Sequence, residues 1–330
     1  MKEIIYFDNA ATTPVRPEVY EEMKPYIEKY YGNASSVYAI ARESKKAIDK
    51  AREQVASAIN AKPEEIFFTG CGSESDNWVL KGVANALKDK GNHIITTCIE
   101  HHAILHTCQF LEENGYEVTY LPVDEYGKIS IDDLLNAIRP TTILVSIMFA
   151  NNEIGTIEPI KEIGKICKEK GIYFHTDAVQ AVGHVKIDVQ DMNIDFLSLS
   201  GHKLGAPKGI GALYIRKGCK IKNLIHGGQQ ERGRRAGTEN VIGIVALGKA
   251  IELAVNEMEE TTADEMLRTE ELEDMTLDDA VDQEDPETAP VEGQIDKEEE
   301  ILNHGEGNHS GRTMGRRQTK ARRLPEQMSQ

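Results

Sequence analysis

The residues best suited to covalent chemistry lie in Ser198-Leu-Ser-Gly-His-Lys203, which overlaps the end of the apolar run Asp195-Phe-Leu-Ser-Leu. A lysine at a strand end, with Ser200 and His202 beside it, is placed to act as a Schiff-base amine once it is deprotonated. Most lysines are solvated surface charges, so Lys203 alone decides nothing. A second stretch, His175-Thr-Asp-Ala-Val-Gln180, also closes an apolar run. A carboxylate held near a lysine amine is what pyridoxal phosphate requires. Asp177 would keep the ring nitrogen protonated, and the ring would then serve as an electron sink.

Four further constellations each carry a chemical reading and a plainer one. Thr69-Gly-Cys-Gly-Ser-Glu-Ser-Asp76 joins a strand to a helix start. Gly70 and Gly72 let the backbone approach a ligand, and Ser73 with the free helix amides can hold a phosphate. The plainer reading is an N-cap at Ser73 with Asp76 three residues on. The stretch is neither a Walker loop nor a strand-to-helix GxGxxG, and Gly209-Ile-Gly211 leads into another strand, so nucleotide binding is poorly supported. In Glu100-His-His-Ala-Ile-Leu-His106, His102 and His106 are one helical turn apart, a metal-ligand spacing that more often marks a surface face. His101, at a strand end, could instead stack its ring on a flat cofactor. An amide of Asn151-Asn-Glu-Ile-Gly155 could hydrogen-bond a phenolate oxygen, although Asn and Gly also favour turns. The basic, Gly-rich loop His226 to Thr238 is suited to anion contact or to a mobile surface loop.

The elements that must position these groups alternate. Strand patterns are expected at Ile66–Thr69, His93–Thr97, Val118–Leu121, Ile143–Met148, Ile172–His175, Phe196–Leu199 and Gly211–Ile215, with a short apolar run at Ile4–Phe7. Helical patterns fall at Pro17–Tyr30, Arg42–Ala58, Ser73–Leu87, His101–Asn114, Ile131–Ile138, Ile160–Glu169 and Asn240–Met258. Such alternation indicates an α/β fold with a mainly parallel sheet covered on both faces, and ligands in such sheets bind at the carboxyl ends of the strands. The candidate groups all sit at such ends.

The 330 residues suit one large domain or two ordinary ones, and 40% hydrophobic residues suffice for a sizeable core. The net charge of −17 argues against nonspecific nucleic-acid binding. About three quarters of it falls after Met258. Residues 261–330 contain no Phe, Trp or Tyr, run strongly acidic from Glu270 to Glu300, and turn basic from Gly311 to Arg323. We therefore expect a domain over 1–258 and an acidic, largely disordered tail over 259–330, with helix continuing a few turns past Met258. The five cysteines form no CxxC pair, so neither a zinc knuckle nor a thioredoxin-like motif is expected, and their scatter through a chain of this size points to a reducing cytosol. Neither a leader-like N-terminus nor a membrane-length apolar run is expected.

Taken together, these residues resemble the cysteine desulfurases of the NifS/IscS type, within the class V aminotransferase group of pyridoxal-phosphate enzymes. The resemblance covers residues 4 to about 258. It rests on Asp8-Asn-Ala-Ala-Thr-Thr-Pro14, Thr69 to Asn77, Glu100-His101, Asn151 to Gly155, His175 to Gln180, Ser200 to Lys203 and Arg235-Ala-Gly-Thr238. Asn33-Ala34 departs from the family's frequent Asn-Pro. The resemblance implies a fold-type I large domain built on a seven-stranded sheet, with pyridoxal phosphate as cofactor.

It also assigns roles. Lys203 would bind the cofactor aldehyde and later move protons, Asp177 would pair with the ring nitrogen, and His101 would stack on the ring. Gln180 and Asn152 would contact the ring oxygen or the substrate. Gly72, Ser73, Ser200, Gly201 and His202 would surround the phosphate. Thr238 would reach the phosphate of a neighbouring subunit, which implies a homodimer. The implied reaction converts L-cysteine to L-alanine and enzyme-bound sulfur for iron–sulfur cluster assembly, in the cytoplasm, with a scaffold protein as partner and no metal, nucleic acid or membrane. Family members continue into a small domain that carries the sulfur-accepting cysteine and an arginine for the substrate carboxylate. Nothing after Met258 resembles it, and no cysteine follows Cys219. The resemblance thus implies an impaired desulfurase, with slow transamination or a non-catalytic partner of a complete desulfurase as alternatives.

Overall fold

A computed structural model describes residues 5–274 of the chain. The helices are α1 (Pro17–Glu28), α2 (Ala39–Ala58), α3 (Gly72–Leu87), α4 (His102–Glu113), α5 (Ile131–Ala137), α6 (Ile160–Lys170), the short α7 (Gln230–Gly233) and α8 (Val241–Asp274). The strands are β1 (Ile66–Thr69), β2 (His93–Thr97), β3 (Glu117–Leu121), β4 (Thr142–Ser146), β5 (Tyr173–Asp177), β6 (Phe196–Ser200) and β7 (Gly211–Ile215). They form one sheet in the order β1-β7-β6-β5-β4-β2-β3, parallel except for β7, which runs antiparallel to both neighbours.

The strands were legible because most are apolar on both faces, as expected of a sheet covered by helices. Successive side chains go to opposite layers: Phe68, Val145, Leu197 and Tyr214 pack in one core, and Phe67, Leu144, Phe196 and Leu213 in the other. The first core is closed by α2 and α8. Ala41, Ile48, Ala51 and Val55 make a buried stripe along α2. Gly248 of α8 lies so close that a Cβ there would stand 2.8 Å from the Ala51 Cβ, which sets the near approach of the two helices. Trp78, Val79 and Val83 of α3 and Ile104 and Leu111 of α4 build the second core. α6 ends at Gly171 in the left-handed conformation (φ +65°), a terminus glycine adopts without steric cost.

Ile5, Tyr6 and Phe7 form no strand and are exposed, Phe7 to 88%. Among the described residues no sheet edge receives them, and the chain runs on across the end of β6. The backbone of α8 continues past Met258 to Asp274. The expected disordered tail lies, from residue 275 on, outside the described residues.

The chain passes from β2 outward to β3, returns to place β4 on the other side of β2, and then proceeds through β5 to β6. The order therefore reverses between β2 and β4. The carboxyl ends of parallel strands diverge at such a reversal and leave a crevice.

Candidate active site

A cavity of about 470 Å³ opens at these strand ends, lined by Lys203, His202, Ser200, Asp177, Gln180, Asn152, His101, Gly72 and Ser73, with Asp8, Ala10, Ala11, Cys71 and Asp76 also on its wall. Each group arrives by a short local path. β6 stops at Ser200, and a single 3-10 turn, Gly201–Lys203, turns Lys203 back over the sheet edge. β5 delivers Asp177 beside β6, in register with Ser198. His101 follows β2 and caps α4, its Nδ1 accepting the Ala103 N–H at 3.1 Å. That bond leaves Nε2 to carry the proton when the ring is neutral.

Two of the residues named from the sequence sit apart. Gly201 is buried against Ile210 and Ala206, its N–H donates to the Ile210 carbonyl, and it does not line the cavity. Thr238 is exposed and lines a separate small cavity with Gly70, Arg235 and Asn240. The alternative reading of Ser73 as an N-cap is incorrect. The cap of α3 is Cys71, in extended conformation, and it makes no side-chain capping bond. The helix starts at Gly72 because the backbone can press against Val179 there; a Cβ would stand 2.7 Å from Val179 Cγ2.

Burial lowers the pKa of Lys203, with Asp177 and then Asp8 opposing the shift. A larger fraction of its amine is therefore neutral than in a solvated lysine. Burial raises the pKa of Asp177, which the Val179 N–H, His101 and Lys203 partly offset. Asp76, fully enclosed beside it, is pushed well above the usual carboxylate range by burial first and by Asp177 second. Beneath both, His175 is held neutral, its pKa driven to about 3 by burial. Its ring nitrogens lie 2.8 Å from Ser146 Oγ and 3.0 Å from Ser198 Oγ, tying β4, β5 and β6 together. His202 is likewise pushed towards the neutral form by burial, with Lys203 and Lys208 adding to it, and its Nδ1 lies 3.1 Å from Thr12 Oγ1.

Sequence reasoning missed two parts of this arrangement. The segment Asp8 to Pro14 is the upper wall. Lys203 Nζ donates to the Ala10 and Ala11 carbonyls, Gln180 Nε2 donates to the Ala10 carbonyl at 2.9 Å, and Thr13 Oγ1 donates to the His202 carbonyl at 2.9 Å. The motif carries no role in the sequence reading, because these contacts are mostly main-chain and leave little side-chain signal. Glu100 is the second. Buried below His101, it accepts from the Met148 N–H at 2.8 Å and from Thr97 Oγ1 at 2.9 Å, joining the ends of β2 and β4. Burial raises its pKa to about 8.

The residues fit pyridoxal phosphate. Ser200 Oγ and Asp76 Oδ1 are buried and find no hydrogen-bond partner among the described residues. A buried hydroxyl without a partner costs free energy unless a ligand satisfies it. The first-turn amides of α3 and Ser73 add donors for an anion at the same end. Glu74, an acid in the first turn of α3, is tied up in a two-pronged pair with Arg235 at 2.8 and 3.0 Å. His101, His102 and His106 border a shallower cavity, but among the described residues no group of three or more such side chains is placed to hold a metal.

Comparison with known proteins gives the same direction. The family profile "Aminotransferase class-V" matches residues 5–284. The chain is 66% identical over 260 residues to the cysteine desulfurase IscS of Clostridium botulinum strain Hall, covering 79% of this chain and 66% of that relative. It is 66% identical over 257 residues to the IscS cysteine desulfurase of Methanosarcina thermophila, covering 78% of this chain and 64% of the relative. Thus the chain spans just under two thirds of the length of these relatives. Among solved structures it is similar to a NifS-like protein (TM-score 0.77, 45% identity, 81% of this chain and 74% of the other). It is similar also to SspA in complex with cysteine (TM-score 0.74, 48% identity, 76% and 72%). No helix among the described residues is long and apolar enough to cross a membrane. With its strand-end lysine, its buried aspartate and this match along most of its length, the chain belongs to the class-V aminotransferase family, a family dependent on pyridoxal phosphate.

Proposed function

We propose that this chain is the cofactor-binding large domain of a cysteine-desulfurase-type enzyme, acting on L-cysteine or a related amino acid, with its sulfur-transfer step impaired. The observation that carries the reading is the shared cavity of Lys203, Asp177 and the unpartnered Ser200 hydroxyl. The neighbour solved with cysteine supports the substrate class. Bound in this cavity, pyridoxal phosphate supplies an aldehyde that takes up amines and a ring that accepts the electron pair left at an α-carbon. The chain's residues then have separate tasks. Lys203, its neutral form favoured by burial, offers a nucleophilic amine and a proton acceptor near the α-carbon. Asp177 would pair with the ring nitrogen and keep it protonated. His101 would stack its ring on the flat cofactor. Gly72, Ser73, Ser200 and His202, with Gly201 shaping the turn, seat the phosphate. Asn152 and Gln180 orient the ring oxygen or the substrate, and Thr238 serves the phosphate of a second copy in a homodimer. Cytoplasmic location and an iron–sulfur scaffold partner belong to this reading.

Sulfur transfer needs a thiolate that can reach the substrate sulfur. Residues 220–330 contain no cysteine. Cys108, Cys167 and Cys219 are buried, and burial pushes the Cys108 and Cys219 thiols up to about 12. Cys71 and Cys98 are exposed, but the resemblance gives neither the sulfur-accepting role; impaired sulfur transfer would favour slow transamination, or a non-catalytic partnership with a complete desulfurase, as the second reading. The binding claim is tested by adding the cofactor, reducing with borohydride and mapping the label. We expect a visible absorbance band and a label on Lys203; a folded protein that stays colourless and unlabelled sinks the reading. Alanine and sulfide release from cysteine should stay near the level of Lys203→Ala, and rapid Lys203-dependent release would overturn the impairment.

A further inference from the structure

Of the five cysteines, Cys71 and Cys98 are exposed, and only Cys71 lines the Lys203 cavity. Cys71 is the cap residue of the 16-residue α3, extended at φ −175°, and its side chain makes no capping bond. Its neighbour Gly72 lies against Ser200, where a Cβ would stand 3.6 Å from the Ser200 Cβ. The Ser200 hydroxyl is an independent sign of a ligand here, since the residue is 3% exposed and Oγ has no partner among the described residues. A thiol thus stands at the end of the cavity where free helix amides and an unsatisfied hydroxyl favour an anion.

We infer that Cys71 is a modification site for small disulfides that carry a carboxylate, cystine being the fitting member, and that this modification and the cofactor phosphate exclude each other. The inference rests on the cofactor reading above. In the exchange the Cys71 thiol gives up its proton and the thiolate attacks one sulfur of cystine. The S–S bond of cystine breaks, a Cys71–S–S–cysteinyl bond forms, and the departing cysteine thiolate takes up a proton. The attached group brings its carboxylate to the first turn of α3, the seat the phosphate needs. An oxidising supply of the substrate amino acid would so block cofactor loading, and a thiol reductant would restore it.

Peptide mass mapping of iodoacetamide labelling tests this, with Cys98 as the control inside the same chain and the borohydride label on Lys203 reporting loading separately. At a cofactor concentration about ten times its Kd, exclusion slows alkylation of Cys71 about elevenfold and leaves Cys98 unchanged. Pretreatment with cystine, then gel filtration, should cysteinylate Cys71 before Cys98 and abolish the Lys203 label until dithiothreitol is added. Cys71→Ser should take the label with or without cystine. Equal alkylation of Cys71 in chains whose Lys203 is labelled, or full labelling of the cysteinylated chain, overturns the inference. Absence of any Lys203 label refutes the cofactor reading and the exclusion with it. Equal cysteinylation of Cys71 and Cys98 removes the site itself.

Discussion

Replacing Ser200 with alanine should move stability and cofactor affinity in opposite directions. Ser200 ends β6, is buried, and its Oγ has no hydrogen-bond partner among the described residues. Leaving a buried hydroxyl unpaired costs about 1–3 kcal/mol. Alanine removes the oxygen and little else, so the cofactor-free protein should lose nothing and can gain up to that amount. For a domain of this size about 1 kcal/mol corresponds to about 2–4 °C in the thermal midpoint. With cofactor the sign reverses, because a hydrogen bond to a charged group contributes about 1.5–3 kcal/mol. Affinity should then fall about tenfold to a hundredfold. The assays are thermal unfolding of the stripped protein and a cofactor titration followed by absorbance. A stripped Ser200→Ala protein clearly less stable than its parent would show that the hydroxyl is satisfied within the fold. Unchanged affinity would show that the phosphate does not use it.

Arg52→Ala should unfold at a much lower urea concentration, by about 3–5 kcal/mol, since it leaves Glu231 buried without its partner. The pair is enclosed and two-pronged at 2.7 and 2.8 Å, and Glu231 also accepts the Phe68 N–H at 3.1 Å, so it ties the left-handed turn of α7 to β1. A loss under about 1 kcal/mol would refute that burial argument. Glu100→Gln tests the pH dependence. The folded pKa of Glu100 is raised from 4.5 to about 8, so the fold favours the protonated form, and its contribution is full below about 4.5 and is lost as the pH rises to about 8. The stability of Glu100→Gln relative to the parent should therefore climb through that window, by up to about 1.4 kcal/mol per pH unit. Parallel stability curves from pH 5 to 8 would mean that Glu100 is not protonated in the fold.

The sequence by itself determined the sheet and the main catalytic candidates. Doubly buried strands must be runs such as Ile143-Leu-Val, and a parallel arrangement brings the carboxyl ends of β2, β4, β5 and β6 to one edge. Lys203, Asp177, His101 and Asn152 were legible because each stands just at or beyond such an end. Tertiary structure alone decided what surrounds them. That Asp8 to Pro14 lies over Lys203 depends on carbonyls, which every residue carries alike. That His175 is neutral, that Asp76 and Glu100 favour their protonated forms, and that the Ser200 hydroxyl has no hydrogen-bond partner among the described residues depend on enclosure by elements distant in the chain. Gly201 and Gly72 are alike in sequence, yet one packs beneath the turn and the other faces the cavity. Spacing along the chain sets which side chains can meet at a sheet edge; the removal of water by packing sets their charge.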